Sequence, residues 1–139
     1  MTATVHTTPV AHVQPTRGRY VRAGLVAGVA AAATTLVVAA AADAWGTSLE
    51  IKGESIPAYA FAQVTIMATL IGIAIAAVLV RRSSHAARTF TRVSVALTAA
   101  SMIPPVIVDA DVATKAVLVA THLLAAIIVI PAIASRLRR

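Results

Sequence analysis

The chain has 139 residues, carries a net charge of +7 and is 59% hydrophobic, whereas charged residues make up only 12%. Ordinary soluble domains have about 25% charged residues, so this composition excludes that class and indicates a membrane protein. The basic residues flank the apolar segments, which is typical of membrane-anchoring charge and argues against a nucleic-acid partner. The sequence has no Cys, which excludes disulfides, thiolate metal sites and a Cys nucleophile.

The N-terminal residues 1–19 mix Thr, Pro and His without periodicity, and we predict that they form a disordered cytoplasmic tail. His6 and His12 lie in this segment. Two His residues in a flexible segment are able to bind a metal weakly, but we interpret them as solvated residues of the tail. The sequence has no Walker-type glycine loop, nucleophile motif or metal-ligand cluster, so we predict no catalytic residue, no metal and no cofactor.

Four apolar segments follow, and each is long enough to cross the ~30 Å core of a bilayer as a helix. We predict these helices over about residues 20–43, 57–80, 85–108 and 111–136, so that residues 20–139 form one transmembrane domain. Residues 42–44 resemble a signal-peptidase site, but the preceding apolar run exceeds the usual ~7–15 residues, which predicts an uncleaved helix. The predicted fold class is all-α: a polytopic, up-down four-transmembrane-helix bundle.

The charged residues are divided between the two sides of this bundle. The acidic residues and both Lys residues fall on one side: Asp43, Glu50, Lys52, Glu54, Asp109, Asp111 and Lys115. The Arg residues fall on the other side: Arg17, Arg19, Arg22, Arg81, Arg82, Arg88, Arg92, Arg136, Arg138 and Arg139. Positive charge marks the cytoplasmic side, so we predict that both termini are cytoplasmic. We expect the Arg clusters to contact the lipid bilayer of the cell membrane, in which the protein is multi-pass.

Gly24 and Gly28 form a GxxxG pattern in the first helix, and Ala32 extends the same small face. Small side chains let the backbones of two membrane helices approach closely. Two interpretations remain open for the occupant of this face. It packs against a helix of the same chain, which we favour in so Ala-rich a segment, or against a second copy or another membrane protein.

Pro104 and Pro105 lie near the end of the third apolar segment. Each Pro removes a backbone donor and clashes with the preceding turn, and the second pushes the first out of the helical region. We therefore predict a helix break, with regular helix ending or kinking near Ile103 and residues 104–108 continuing as an extended or kinked segment. Such backbone is tolerated at membrane depth only where protein or a wet cavity covers it.

His122 lies eleven residues into the fourth helix, about 16 Å along its axis and near mid-membrane. If the third and fourth helices form a hairpin, Thr98 and Ser101 lie near this level, and we predict an intramembrane polar cluster of these three residues. Polar residues of the first two helices reach a similar depth: Thr34, Thr35, Gln63 and Thr65. An ionisable residue at this depth suggests proton transfer. The alternative, which we favour, is a neutral His that hydrogen-bonds a hydroxyl and joins helices.

Asp109, Asp111 and Lys115 form a second candidate group, a charge cluster at the outer face. Either Asp109 or Asp111 is able to cap the fourth helix, because acids favour a helix N-terminus. Lys115 follows Asp111 by one turn, so the two side chains are able to form an exposed ion pair. We favour a different interpretation, in which an Asp caps the helix and the Lys amine reaches the membrane surface.

Three short motifs carry a resemblance to a known family: Ser101-Met-Ile-Pro104-Pro105, Asp111-Val-Ala-Thr114-Lys115-Ala-Val-Leu and Thr121-His122-Leu. With these motifs, and with Arg residues before the first and third helices, the chain resembles an actinobacterial family of small four-helix membrane proteins of unknown function. The resemblance extends from about Arg17 to the C-terminus. Position 115 in that family is often Arg, which implies that a cation matters there. The resemblance implies the topology and an actinobacterial cell membrane, and it implies no activity, substrate or cofactor.

Three classes of function compete for such a chain. Short loops, small-residue faces and the lack of catalytic motifs favour a non-catalytic membrane protein, a partner or assembly component. The alternative is a small transporter or a proton or ion pathway element that uses the polar layer around His122. A membrane enzyme is the least favoured class, because no constellation of residues supports one. A water-accessible cavity that reaches His122 would favour the pathway, and a dry, packed His would favour the partner.

Overall fold

The computed structural model describes residues 17–138. Its elements are, in chain order, α1 (Arg17–Ala44), β1 (Glu50–Ile51), β2 (Glu54–Ser55), α2 (Ala58–Arg82), α3 (Ala86–Ser101), α4 (Ile103–Ile107) and α5 (Val112–Leu137). Within these residues, α1, α2, α5 and the segment Ala86–Ile107, which comprises α3 and α4, are long and apolar enough to cross a membrane. The predicted all-α architecture with four membrane-length helices is confirmed.

Helix α1 begins three residues before its predicted start, so Arg17, Gly18 and Arg19 belong to a helix rather than to the tail predicted over residues 1–19. Arg has a high helix propensity, and its long side chain reaches water from the end of a membrane helix. The helix is therefore able to continue past the apolar run. The predicted tail over residues 1–16, with His6 and His12, lies outside the described residues.

The segment between α1 and α2 contains a small antiparallel hairpin, in which β1 pairs with β2. Its two central residues, Lys52 and Gly53, have φ angles of 53° and 80°. A turn with two positive φ angles matches the twist of the strands that it joins. The backbone N–H of Lys52 donates to the carbonyl oxygen of Asp109 (3.0 Å), so the hairpin is attached to the turn before α5.

Two hydrophobic clusters mark the two ends of the bundle. The first contains residues from the start of α1, the end of α2, the first half of α3 and the end of α5: Tyr20, Ala76, Phe90, Ile133, Ala134 and Leu137. The second contains the end of α1, the residue before the hairpin and the start of α2: Ala39, Ala42, Leu49 and Phe61. We call these the arginine end and the hairpin end, because the described Arg residues lie in the elements and connections of the first.

Helix α1 is central, since it packs against both α2 and α5, whereas α3 packs mainly against α5. The GxxxG residues make the close approach of α1 and α2 possible. A Cβ atom added at Gly24 would lie 2.7 Å from Ile73 Cγ1, and one added at Gly28 would lie 2.6 Å from Thr69 Cγ2. In the described chain this face is therefore packed against α2, with Ile133 of α5 also close to Gly24.

The two prolines lie in a helix of their own. Helix α3 ends at Ser101, Met102 is the residue between the two helices, and α4 has Pro104 and Pro105 at its start. A Pro is tolerated in the first turn, where its missing N–H would have no helical partner. The interruption therefore lies at Met102, before both prolines, and of the two predicted paths, extended or kinked, residues 104–107 are helical and not extended. Val108, with ψ 149°, is the extended residue that follows α4.

Candidate functional site

A cavity of about 580 Å³ lies between α2, α3 and α5. All three residues of the predicted intramembrane cluster, His122, Thr98 and Ser101, line it. Ser94, Thr98 and Ser101 follow one another at intervals of four and three residues, which places them on one face of α3. This face is turned towards the cavity, as expected for the polar side of a membrane helix.

The rim of the cavity is formed by α2 and α3. Val64 and Ile71 of α2 and Leu97 of α3 all line the cavity, yet they are 57%, 56% and 51% exposed. Lining residues with such exposure lie at an opening. The cavity therefore opens sideways between α2 and α3, onto a surface that would face lipid in a membrane.

Hydrogen bonds within single helices hold the polar residues of this cavity. The Nδ1 atom of His122 lies 2.7 Å from the carbonyl oxygen of Leu118. The hydroxyl of Ser101 donates to the carbonyl oxygen of Thr98 (2.8 Å). In the described part of the chain no hydrogen bond joins His122 to Thr98 or Ser101, so the three residues share a cavity without forming the bonded cluster that the sequence suggested. A carbonyl one turn back on the same helix is always within reach, whereas a partner on another helix needs the right register.

The two ends of the cavity differ in polarity. Towards the arginine end its lining is apolar: Ile75, Phe90, Val129 and Ile130. Towards the hairpin end it includes Ile56, Phe61 and Leu118 and, next to them, the polar groups of Thr121, His122 and Ser101. The lining contains no Asp, Glu, Lys or Arg among the described residues. The cavity is thus mainly apolar, and the polar residues Thr69 and Ser94 lie between its more polar hairpin end and its apolar arginine end.

A buried pair of hydroxyls joins α1 to α2 beside this cavity, and the sequence placed both residues at the depth of His122 without predicting that they pair. The Oγ1 atoms of Thr35 in α1 and Thr65 in α2 are 3.1 Å apart, and both residues are buried. Each hydroxyl also donates to, or lies within reach of, a carbonyl of its own helix, those of Ala32 and Phe61. The signal for such a pair in the sequence is a polar residue within an apolar span. That signal does not separate the two Thr residues from Gln63, which lies at similar depth but is exposed. Only the rotation of each helix distinguishes the two cases.

The predicted outer-face residues do not form one group. A second cavity, of about 370 Å³, is lined by Ser48, Glu50, Lys52, Gly53, Asp109, Ala110 and Asp111. Lys115 is not part of this lining and is half-buried one turn further along α5. Asp109 contributes its backbone carbonyl to the hairpin, as described above. The predicted charge cluster is therefore split between a loop cavity and the side of a helix.

Asp111 is the cap of α5. Its carboxylate accepts hydrogen bonds from the backbone N–H groups of Thr114 (3.1 Å) and Ala113, from the Thr114 hydroxyl (2.8 Å) and from the Ser48 hydroxyl (3.2 Å). The two bonds from Thr114, followed by those from Ala113 and Ser48, stabilise the ionised form and lower the pKa of Asp111, against a smaller opposing effect of desolvation. Of the two candidate caps, Asp109 and Asp111, Asp111 is the residue that caps α5.

Within residues 17–138, no group of three His, Asp or Glu residues is arranged to hold a metal ion. The two cavities have no lining residue in common, but they adjoin at the hairpin, where Ile51 of the first cavity lies between Glu50 and Lys52 of the second.

A family of unknown function (DUF6069) matches the chain over residues 15–139. No curated protein and no solved structure shows significant similarity to the chain.

Proposed function

We propose that this chain, which belongs to the DUF6069 family of unknown function, is a non-catalytic partner or assembly component of the cell membrane. In this role the cavity at His122 holds an apolar constituent of the bilayer. One observation carries the proposal: the cavity has a mainly apolar, uncharged lining and opens sideways between α2 and α3. A molecule dissolved in the bilayer would enter through such an opening without crossing water.

The proposal includes a membrane topology. The chain crosses the cell membrane four times as an up-down bundle, with its N and C termini in the cytoplasm. The division of charge supports this topology, because the described Arg residues lie towards the arginine end and the acidic residues towards the hairpin end. The resemblance stated above supports an actinobacterial cell membrane.

The non-catalytic part of the proposal rests on how the polar groups are used. A nucleophile needs a base within hydrogen-bond reach. The Ser101 hydroxyl instead donates to the Thr98 carbonyl, and His122 Nδ1 is engaged by the Leu118 carbonyl. Neither group activates the other.

A small transporter or a proton or ion pathway is the competing function. The imidazole of His122 lines the cavity, which is the observation in its favour. A pathway also requires a continuous series of polar groups from the outer face to His122, whereas the residues that line the cavity are mainly apolar. Proteoliposomes that contain a pH-sensitive dye separate the two functions. The pathway predicts proton flux that His122→Leu abolishes, and the binding role predicts no flux above that of empty liposomes.

The binding role itself is tested by extraction. The full chain is purified in a mild detergent, and its bound membrane molecules are identified by mass spectrometry. We expect a stoichiometric apolar molecule in the wild type and its loss in Ala126→Trp, which fills the cavity. Val29→Trp, on an exposed face of α1, is the matched control and should retain it. Equal retention in both variants would contradict the proposal.

A further inference from the structure

Building on the proposed function, we infer the chemical class of the molecule that the cavity holds. It is an uncharged, lipid-like alcohol whose hydroxyl donates a hydrogen bond to Nε2 of His122. Its apolar tail lies towards the arginine end. Four features of the cavity lead to this class.

The first feature is the hydrogen-bonding state of His122. A backbone carbonyl only accepts hydrogen bonds, so the Nδ1 atom that lies 2.7 Å from the Leu118 oxygen must carry the proton. In a neutral imidazole the other nitrogen, Nε2, is then an acceptor with a free lone pair. In the described part of the chain every fully buried side-chain nitrogen or oxygen has a partner. Nε2 has no protein partner, so it keeps accessible surface, and that surface belongs to a residue that lines the cavity.

The second feature is the absence of charge from the described lining. A charged headgroup placed beside His122 would lose its hydration and gain no counter-charge. A protonated imidazole would meet the same cost. The matching ligand is therefore a neutral molecule that supplies a donor to Nε2 rather than an anion or a cation.

The third feature is the gradient of polarity. The hydrogen-bonding groups of His122, Thr121 and Ser101 lie towards the hairpin end, whereas Phe90 and Ile130 lie at the apolar arginine end. From His122 to Ile130 the distance along α5 is about 12 Å, at 1.5 Å per residue. A hydroxyl at one end of a hydrocarbon tail matches both the order and the spacing of these groups.

The fourth feature is the size of the cavity, which fits a small molecule better than a membrane-spanning helix of a partner protein. The lining residues of α5 extend from Leu118 to Ile130, about 18 Å, whereas a spanning helix needs contact over about 30 Å. The buried Phe90 limits the cavity at one end, and Ile51 and Ile56 limit it at the other. Its volume of about 580 Å³ lies within the range of small-molecule sites, about 300–1,000 Å³.

The test uses two photoreactive probes on the full chain in lipid nanodiscs. One probe is 1-dodecanol with a diazirine in its tail, and the other is its methyl ether, which has the same tail but no donor. Labelled residues are mapped by mass spectrometry. We expect the alcohol to label residues at the apolar end, such as Ile75 and Val129, about three- to tenfold more than the ether does, as one intramembrane hydrogen bond would give.

His122→Leu removes the acceptor and should lower labelling by the alcohol to that by the ether. Labelling by the ether itself should not change. A second measurement does not depend on a variant: in ¹⁵N-His-labelled wild-type protein, the alcohol should shift the Nε2 resonance of His122 and the ether should not.

The outcomes separate this inference from the proposed function. If both probes label the cavity equally in the wild type and no Nε2 shift occurs, the alcohol class is wrong while binding in the cavity stands. If labelling of the cavity residues does not exceed that of the exposed Val26 and Val29 on α1, both proposals are wrong.

Discussion

Gly28 of α1 and Thr69 of α2 are in such close contact that a single added methyl group would overlap them. A Cβ atom at Gly28 would lie 2.6 Å from Cγ2 and 3.1 Å from Oγ1 of Thr69. Thr69 is buried, and its hydroxyl donates to the carbonyl oxygen of Thr65 one turn earlier (2.8 Å). The neighbour therefore cannot turn away without breaking that bond.

Gly28→Ala should destabilise the protein by about 1–3 kcal/mol, because the overpacked methyl forces α1 and α2 apart. Gly72→Ala is the matched control, since the nearest atom to its added Cβ, Ile133 Cδ1, is 3.9 Å away. It should be neutral or stabilising, because Ala has the higher helix propensity. Unfolding in mixed micelles measures both changes. Equal stability of the two variants would mean that α1 does not pack on α2 through this face.

A reporter fused after Arg139 should be active only in its cytoplasmic form, because the Arg-rich ends of the helices stay on the inner side. A tag inserted between Gly46 and Gly53 should be accessible from outside the cell. The measurement is a paired cytoplasmic and periplasmic reporter assay in intact cells. An external signal from the C-terminal fusion would overturn the four-span topology.

Replacing both prolines, Pro104→Ala with Pro105→Ala, should join α3 and α4 into one helix through Met102. The turn that follows would then move, and the bond from the Lys52 N–H to the Asp109 carbonyl would weaken. We expect faster amide hydrogen exchange at Lys52. Pro131→Ala, in the interior of α5, is the control and should leave that exchange rate unchanged. Unaltered protection of Lys52 in the double variant would show that the prolines do not set the position of the turn.

His122→Leu should change the free energy of unfolding by no more than about 0.6 kcal/mol, because no hydroxyl of another helix loses a partner. If His122 instead bonded a hydroxyl of another helix, as the sequence favoured, the same substitution would cost about 1 kcal/mol. Thr65→Val is the comparison variant. It removes the contact with the Thr35 hydroxyl and should cost about 1 kcal/mol. A larger loss for His122→Leu than for Thr65→Val would point to an interhelical bond of His122.

Asp111 should make the stability of the protein depend on pH in the acidic range. Its pKa is lowered on folding, so its contribution is fully present above the ordinary value of 3.8 and is lost as the pH falls through the lowered pKa. Asp111→Asn should therefore be less stable than the wild type at neutral pH, and the difference should disappear in strong acid. Asp109→Asn is the control, since the contact that Asp109 makes with the hairpin is through its backbone. A constant difference between wild type and Asp111→Asn across the pH range would contradict the capping role.

Local chemistry was enough to predict much of the fold from the sequence. The apolar run lengths predicted four membrane-length helices, since each must satisfy its own backbone within the bilayer. Acids before α5 predicted a cap. The spacing of Ser94, Thr98 and Ser101 predicted the polar face of α3, because helical periodicity alone decides which residues share a face. The Pro-Pro pair predicted an interruption near Ile103 for another local reason, because each Pro lacks the backbone N–H and restricts the residue before it.

The tertiary structure decided which helices occupy these faces. The GxxxG pattern specifies a close approach but not the partner, and only the packing of α1 shows that Thr69 and Ile73 of the same chain fill it. Likewise, depth in the membrane placed His122 near Thr98, yet the rotation of each helix decided that both residues line a cavity without bonding to each other. Hydrogen bonds between helices depend on rotation and register, and periodicity within one helix carries no information about either.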